Sequence, residues 1–241
     1  MALNPPGDSR PPATAPGRRL LAVAHRAGNN IGAFADALAV GVDLVEADVR
    51  YYRGALEVRH LKPLGPALLW DHPWQLVRRR DADVPLLADL LAALDGDSRL
   101  ILDLKGVHPR LAPAVAHVLR TAAPGSPVAV CTRHWRMLDA FATDPGIRLV
   151  PSAGSHRQIR RLHALMHAAP KRWPGGRRAF AVSVRRDLLT PAIVSALHRA
   201  VDHVLTWPVD SPWDLDDAVR LGVGGVTGKN LPMLRALVAA R

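Results

Sequence analysis

The chain has 241 residues, a length that suits one compact domain and falls in the usual range of an α/β barrel. Its apolar share of 49% is enough to bury a large core, while runs as short and interrupted as Leu86–Leu94, with Asp89 inside, exclude a membrane-spanning helix. The formal net charge of +11 is carried mostly by arginine, scattered apart from short clusters at Arg78–Arg80 and Arg177–Arg178 without interleaved aromatics. This is a solvated surface rather than a dedicated nucleic-acid site, and one that would be drawn toward anionic substrates and anionic membrane surfaces.

Residues 1–17 are rich in Pro, Gly and Ala and contain no apolar signal core, so they read as a disordered tail rather than a signal peptide. That places the chain in the cytoplasm, and the lone Cys131, with no partner for an intrachain disulfide, agrees. Residues 18–241 read as one domain. In chain order, the predicted strands are Leu20–Ala24, Asp43–Val49, Arg99–Leu104, Pro127–Thr132, Ile147–Ser152, Ala179–Val184, Asp202–Trp207 and Gly222–Val226.

Helical periodicity fills the gaps: Ile31–Val40, Leu86–Leu94, Leu111–Thr121, Trp135–Ala142, His156–Ala169, Pro191–Ala200, Trp213–Leu221 and Leu231–Ala240. Thr190-Pro191 and Ser211-Pro212 have the form of capped helix starts, with Pro in the first turn. Strict βα alternation predicts a single (β/α)8 TIM-type barrel. One piece breaks the rhythm: Ala55–His60, directly after Gly54, reads as a short hairpin arm following the second strand. Leu61–Pro85 shows no clear period and reads as a loop or small lid.

In such a barrel, chemistry gathers at the C-terminal ends of the strands. There stand His25-Arg26, Glu46-Ala47-Asp48, Asp103-Leu104-Lys105 and Thr206-Trp207, with Arg59-His60 ending the arm. Residues two apart on a strand share a side, so Glu46 and Asp48 project together, as do Asp103 and Lys105. Three carboxylates form an oxygen-rich site suited to one divalent ion, Mg2+ or Ca2+, and the set lacks the Cys and paired His ligands of zinc. His163 and His167, four apart on a helix, have no third ligand nearby in sequence. Thr227-Gly228-Lys229 lacks the glycine-rich run of a phosphate loop.

Taken in order, His25-Arg26-Ala27, Glu46-Ala47-Asp48, Arg59-His60, Asp103-Leu104-Lys105, Thr206-Trp207 and Gly222-Val223-Gly224-Gly225 resemble the motif series of the glycerophosphodiester phosphodiesterase family, from about residue 20 to the C-terminus. Asp103 in place of the family's more frequent Glu also looks like the related sphingomyelinase D-type phospholipases. The resemblance implies metal-assisted hydrolysis of glycerophosphodiesters or related lipid-derived diesters. Glu46, Asp48 and Asp103 would hold the metal, and His25 and His60 would be acid and base, with His25 favoured as the acid. Arg26 and Lys105 would contact phosphate, and Trp207 would wall the site.

Two alternatives stay open: transfer to a cyclic phosphate from lysophospholipids or sphingomyelin, and a non-catalytic barrel that binds anionic headgroups. The chain departs from the family pattern at Gly28-Asn29-Asn30-Ile31, where Pro-Glu-Asn-Thr is usual. It departs again at Leu61, where an aspartate follows the second histidine, and in the abbreviated 61–85 segment.

Overall fold

A computed structural model describes residues 19–71, 75–94, 96–169 and 172–241. The proposed tail over 1–17 lies outside them. Strand β1 (Leu21–Ala24) leads into helix α1 (Ile31–Val40), then the long β2 (Leu44–Tyr52) and the short β3 (Ala55–Val58). Three further short strands follow, β4 (Lys62–Leu64), β5 (Leu68–Asp71) and β6 (Gln75–Arg78), before α2 (Leu87–Ala93). Regular alternation then resumes with β7 (Leu100–Leu104), α3 (Leu111–Ala122), β8 (Ala129–Thr132), a 3-10 helix over Trp135–Phe141, β9 (Arg148–Ala153) and α4 (His156–Met166). It ends with β10 (Ala181–Arg185), α5 (Pro191–His198), β11 (His203–Trp207), α6 (Pro212–Leu221), β12 (Gly225–Gly228) and α7 (Leu231–Ala239).

Eight of these strands run parallel in the order β1-β12-β11-β10-β9-β8-β7-β2, and a direct β1–β2 pairing closes the cylinder. All eight strands read from the sequence are present as the barrel. β3 pairs antiparallel with the outer end of β2, Val49 opposite Val58 and Tyr52 opposite Ala55, which is the expected hairpin arm. Alternation sorts the strand residues into two sets. Val23, Leu44, Ile101, Cys131, Val150, Ala181 and Leu205 form a small separate cluster that plugs the barrel interior. Their neighbours, including Ala22, Ala24, Val45, Ala47, Leu100, Leu102, Val130, Val182 and Val204, belong to the larger core shared with the helices.

The helix starts follow the sequence. Thr190 and Ser211 accept the backbone N–H groups of Ile193 and Asp214 at 3.3 and 3.2 Å, and Asn30 caps α1 through Ala33 at 3.0 Å. At the opposite end of the barrel from the site, Asp43 accepts from the Ala22 N–H at 2.6 Å and pairs with Arg19 and, at 2.8 Å, with Arg241.

Two expectations change. The stretch Trp135–Ala142 forms a 3-10 helix rather than an α-helix. Its buried residues, Trp135, Leu138 and Phe141, recur every third position, and three residues per turn stacks them on one side. The 61–85 segment, read as a loop or lid, instead contains an antiparallel sheet ordered β4-β5-β6. Its strands are only three and four residues long, and Pro63 sits on the edge strand, where a missing N–H costs no ladder bond. Buried Glu57 of β3 ties this sheet down: it accepts from Arg59 at 2.7 Å and pairs with Arg79, whose guanidinium lies 4.3 Å from the Tyr52 ring centroid. Among the described residues, no helix is long and apolar enough to cross a membrane.

Candidate active site at the barrel mouth

Glu46 and Asp48 lie on the same side of β2 as Leu44 of the interior plug, and Asp103 lies on the same side of β7 as Ile101. They therefore stand directly above the plug, at the strands' C-terminal ends. Asp48 and Asp103 are register partners across the β2–β7 pair. One oxygen from each of Glu46, Asp48 and Asp103 lies within 4.8 Å of the others, the only such three-residue cluster among the described residues. Lys105, two residues beyond Asp103, sits 2.8 Å from Asp48 Oδ1 and also pairs with Asp103. His25, Arg26, Glu46, His60, Asp103, Lys105 and Trp207 line a single cavity, and Asp48 is fully buried just beneath it. All eight residues singled out in the sequence thus converge.

The loop after β1 is held against β2 at close range. A Cβ on Gly28 would meet the Ala47 Cβ at 2.6 Å and the Glu46 carbonyl oxygen at 3.0 Å, so only glycine fits there. That approach lets Asn29 make a reciprocal pair with Asp48, its Nδ2 donating to Oδ2 and its Oδ1 accepting from the backbone N–H, both at 2.7 Å. Arg26, in a left-handed conformation with φ 60°, turns its N–H onto Glu46 Oε2 at 2.6 Å. Its guanidinium spans Asp48 at 3.7 Å and Asp71 at 3.5 Å.

Asp71 is one of the residues at the site that sequence reasoning missed. It comes from β5, in the segment read as a loop, and its Oδ2 lies 2.8 Å from His60 Nδ1. Where the family pattern has an aspartate the chain has Leu61, and the carboxylate beside His60 comes instead from Asp71, ten residues later and from another sheet. Arg50 fixes the same histidine by its backbone, donating from Nε and Nη2 to the His60 carbonyl at 3.2 and 3.0 Å. Asn29 was missed because it sits where the family motif departs. Arg133 was missed too, although its place just past the end of β8 is a signal that the sequence carries; its guanidinium lies 5.2 Å from the Trp207 ring centroid.

The electrostatics follow from burial. Burial, reinforced by Asp48, holds the Glu46 carboxyl well above the ordinary carboxylate range, and burial raises Asp103 too. Burial also works to raise Asp48, but Lys105 and the hydrogen bonds from Lys105 and Asn29 outweigh it and bring it to about 2. Burial opposes the Lys105 charge, yet Asp103, Asp48 and Glu46 together hold it well above its ordinary value. Three carboxylates face one ammonium and, at the rim, the Arg26 guanidinium, so negative charge is left in excess and adds to burial in making Glu46 reluctant to ionise. This donor set fits a hard divalent cation, which would remove that excess.

Burial, with Arg26 beside it, lowers the His25 imidazole to about 3, so it is neutral at pH 7; its Nε2 lies 4.0 Å from Glu46 Oε2. Burial lowers His60 as well, while Asp48 and Asp71 oppose the shift. Burial pushes the Cys131 thiol far up, in keeping with a small apolar plug residue rather than a nucleophile. His163 of α4 and His167 just past its end pack edge to face, with centroids 5.5 Å apart, and are not part of a three-ligand cluster among the described residues.

With this geometry in view, a Mycobacterium tuberculosis protein named probable glycerophosphodiester phosphodiesterase 2 is 27% identical over 242 aligned residues, covering 88% of this chain and 86% of the relative. The chain resembles the glycerophosphodiester phosphodiesterases. Solved structures carrying that name share the barrel: one from Thermotoga maritima superposes with a TM-score of 0.66 at 15% identity, covering 92% of this chain and 98% of its own. A phosphodiesterase from Oleispira antarctica, solved in complex with the product sn-glycerol-3-phosphate, gives a TM-score of 0.68 at 16% identity over 91% of this chain and 96% of its own. No family model matches the chain.

Proposed function

We propose that the chain is a metal-assisted phosphoric diester hydrolase acting on glycerophosphodiesters. One observation carries the reading: a triad of carboxylates and two imidazoles meet at the catalytic end of the barrel, in a chain that resembles this family. Glu46, Asp48 and Asp103 would hold one Mg2+ or Ca2+ ion. When bound, such an ion supplies positive charge against the charge growing on the phosphate oxygens.

The chain's own groups do the rest. Arg26 and Lys105 meet the non-bridging oxygens, and Trp207 with Arg133 walls the esterified alcohol. A proton acceptor must be neutral before it acts, as burial keeps His25, and we assign it the proton of the attacking water. His60 is the better donor, because Asp71 supports its imidazolium from Nδ1 and leaves Nε2 to protonate the departing oxygen. This exchanges the roles that the resemblance gave the two histidines. The new P–O bond forms from the attacking oxygen as the P–O bond to the alcohol breaks. The products are a phosphate monoester and a free alcohol. By analogy with the product bound to the Oleispira relative, the monoester expected here is sn-glycerol 3-phosphate.

The test offers glycerophosphocholine, lysophosphatidylcholine and bis(p-nitrophenyl) phosphate with Mg2+, Ca2+ or EDTA, followed by phosphorus NMR. Metal-dependent release of sn-glycerol 3-phosphate is expected from the first. Replacing His25 or His60 by Ala should lower kcat by roughly two to four powers of ten. Less than a tenfold loss in both variants sinks the assignment, and a cyclic phosphate product would redirect it to phosphotransfer.

A further inference from the structure

The sheet β4–β6 has two faces of different chemistry. Residues opposite one another in an antiparallel ladder share a face, as do alternate residues along a strand. The inner face carries Pro63, Leu69 and Val77, with Leu69 fully buried, and it also carries Asp71, which holds His60. The outer face consists of two rows. Lys62, Trp70 and Leu76 form one, and Leu64, Leu68 and Arg78 form the other. Leu64 is 53% exposed and Leu76 57%. The Lys62 ammonium stands 4.6 Å from the Trp70 ring centroid. Beside these rows, Pro66, Ala67 and Leu68 line a depression with Arg78, Arg79 and Arg80.

Single exposed leucines need no explanation. Arg79 and Arg80 of the depression are paired with Glu57 and Asp81, but Lys62 and Arg78 are the only charged residues in the two rows, and four adjoining apolar side chains with these two cations need a partner that is both apolar and negatively charged. A bilayer containing anionic lipid has that composition: it takes leucine and tryptophan at the acyl boundary and pairs lysine and arginine with headgroup phosphate.

We propose that the outer face of the β4–β6 sheet docks the chain on an anionic lipid surface. The complementarity is local, with only cations among the charged residues of these rows, and the net charge of +11 reinforces it at longer range. β5 then serves two surfaces at once: Trp70 faces the bilayer and Asp71, the next residue, faces the site. The proposal goes beyond the hydrolytic reaction and stands without it, because binding is read directly.

The full chain is sedimented with vesicles of phosphatidylglycerol and phosphatidylcholine in equal parts, and with phosphatidylcholine alone, at low and high salt. Binding to the anionic vesicles, weakened by salt, is expected. Each basic side chain near such a surface adds roughly fivefold to partitioning, so Lys62→Glu with Arg78→Glu should lower it by at least about tenfold. Leu64→Ser with Leu76→Ser, a pair that leaves the charge unchanged, should lower it by a similar factor. Arg157→Glu with Arg160→Glu, exposed on α4, should change it less than about threefold, and circular dichroism verifies folding throughout.

Absence of binding to anionic vesicles overturns the proposal. So does an equal loss in the α4 control, which would make the attraction a matter of net charge, and so does no loss in the leucine pair. Capture by polyglutamate as strong as by vesicles, lost in the same variants, would assign the face to an acidic protein instead.

Discussion

Replacing Asp71 by Asn keeps the shape of the group beside His60 and removes its charge. In the native chain Asp71 Oδ2 lies 2.8 Å from His60 Nδ1, in a pair whose side chains are 17% and 23% exposed, too sheltered for solvent to screen fully. A hydrogen bond to a charged group is worth about 1.5–3 kcal/mol and a neutral one about 0.5–1.5, so the substitution removes roughly 1–1.5 kcal/mol of support for the imidazolium. That corresponds to a loss of about five- to thirteenfold in kcat on glycerophosphocholine. Asp71→Ala, which removes the bond altogether, should cost roughly thirteen- to 160-fold.

The sign of the pH effect is also fixed. Burial and the Arg26 and Lys105 charges lower the His60 pKa while Asp48 and Asp71 raise it, so losing the Asp71 charge lowers it further. A donor must be protonated, so the alkaline limb of the kcat profile should move to lower pH. The leaving group supplies a control: p-nitrophenolate departs without a proton, so bis(p-nitrophenyl) phosphate should be nearly unaffected. Asp71→Asn within twofold of the native chain on glycerophosphocholine, with the alkaline limb unmoved, would refute the pairing of Asp71 with the acid. An equal loss on both substrates would refute it too.

Two further perturbations address the metal triad and the loop that supports it. Glu46 is held above its ordinary pKa, so in the metal-free chain its stabilising contribution is complete below the unfolded value and is lost as pH rises through the folded one. At pH 8 without metal, Glu46→Gln should therefore raise Tm, by roughly 2–4 °C for each kcal/mol of relieved repulsion, and should abolish the further rise expected of the native chain with Mg2+ or Ca2+; a lower Tm in the metal-free variant would count against the excess-charge account. Gly28→Ala puts a methyl 2.6 Å from the Ala47 Cβ, so the loop must lift and Asn29 must part from Asp48. A stability loss of about 1–3 kcal/mol in urea and weaker metal binding by titration calorimetry are expected, and native-like values for both would show the loop to be free to shift.

The barrel was legible because its signal is repetitive: eight apolar runs, each followed by a helical period, admit few other arrangements. The triad was legible for a related reason, since Glu46, Asp48 and Asp103 lie on regular strands where spacing alone fixes direction. The residues that escaped have no period. Asp71 lies on a four-residue strand whose partners are three and four residues long, and nothing local says that it returns to His60. Asn29 reaches Asp48 because Gly28 lets the loop lie down on β2, a contact made between segments about twenty residues apart. The 3-10 geometry of Trp135–Phe141 was set by burial of Trp135, Leu138 and Phe141 against neighbours that no local window contains.

The two imidazoles proposed to handle protons are carried by different parts of the architecture. His25 directly follows β1 of the cylinder, whereas His60 follows β3 and meets a carboxylate from the appended sheet, which Glu57 fastens to the arm through Arg79. The site is therefore separable in a way that a site built wholly on the barrel is not. A graft of the 61–85 segment from a relative could exchange how the leaving alcohol is served and what surface the chain meets, while the carboxylates on β2 and β7 stay where they are. Diversification of such a chain would have a short route, since editing one small antiparallel module would leave the carboxylate floor of the site untouched.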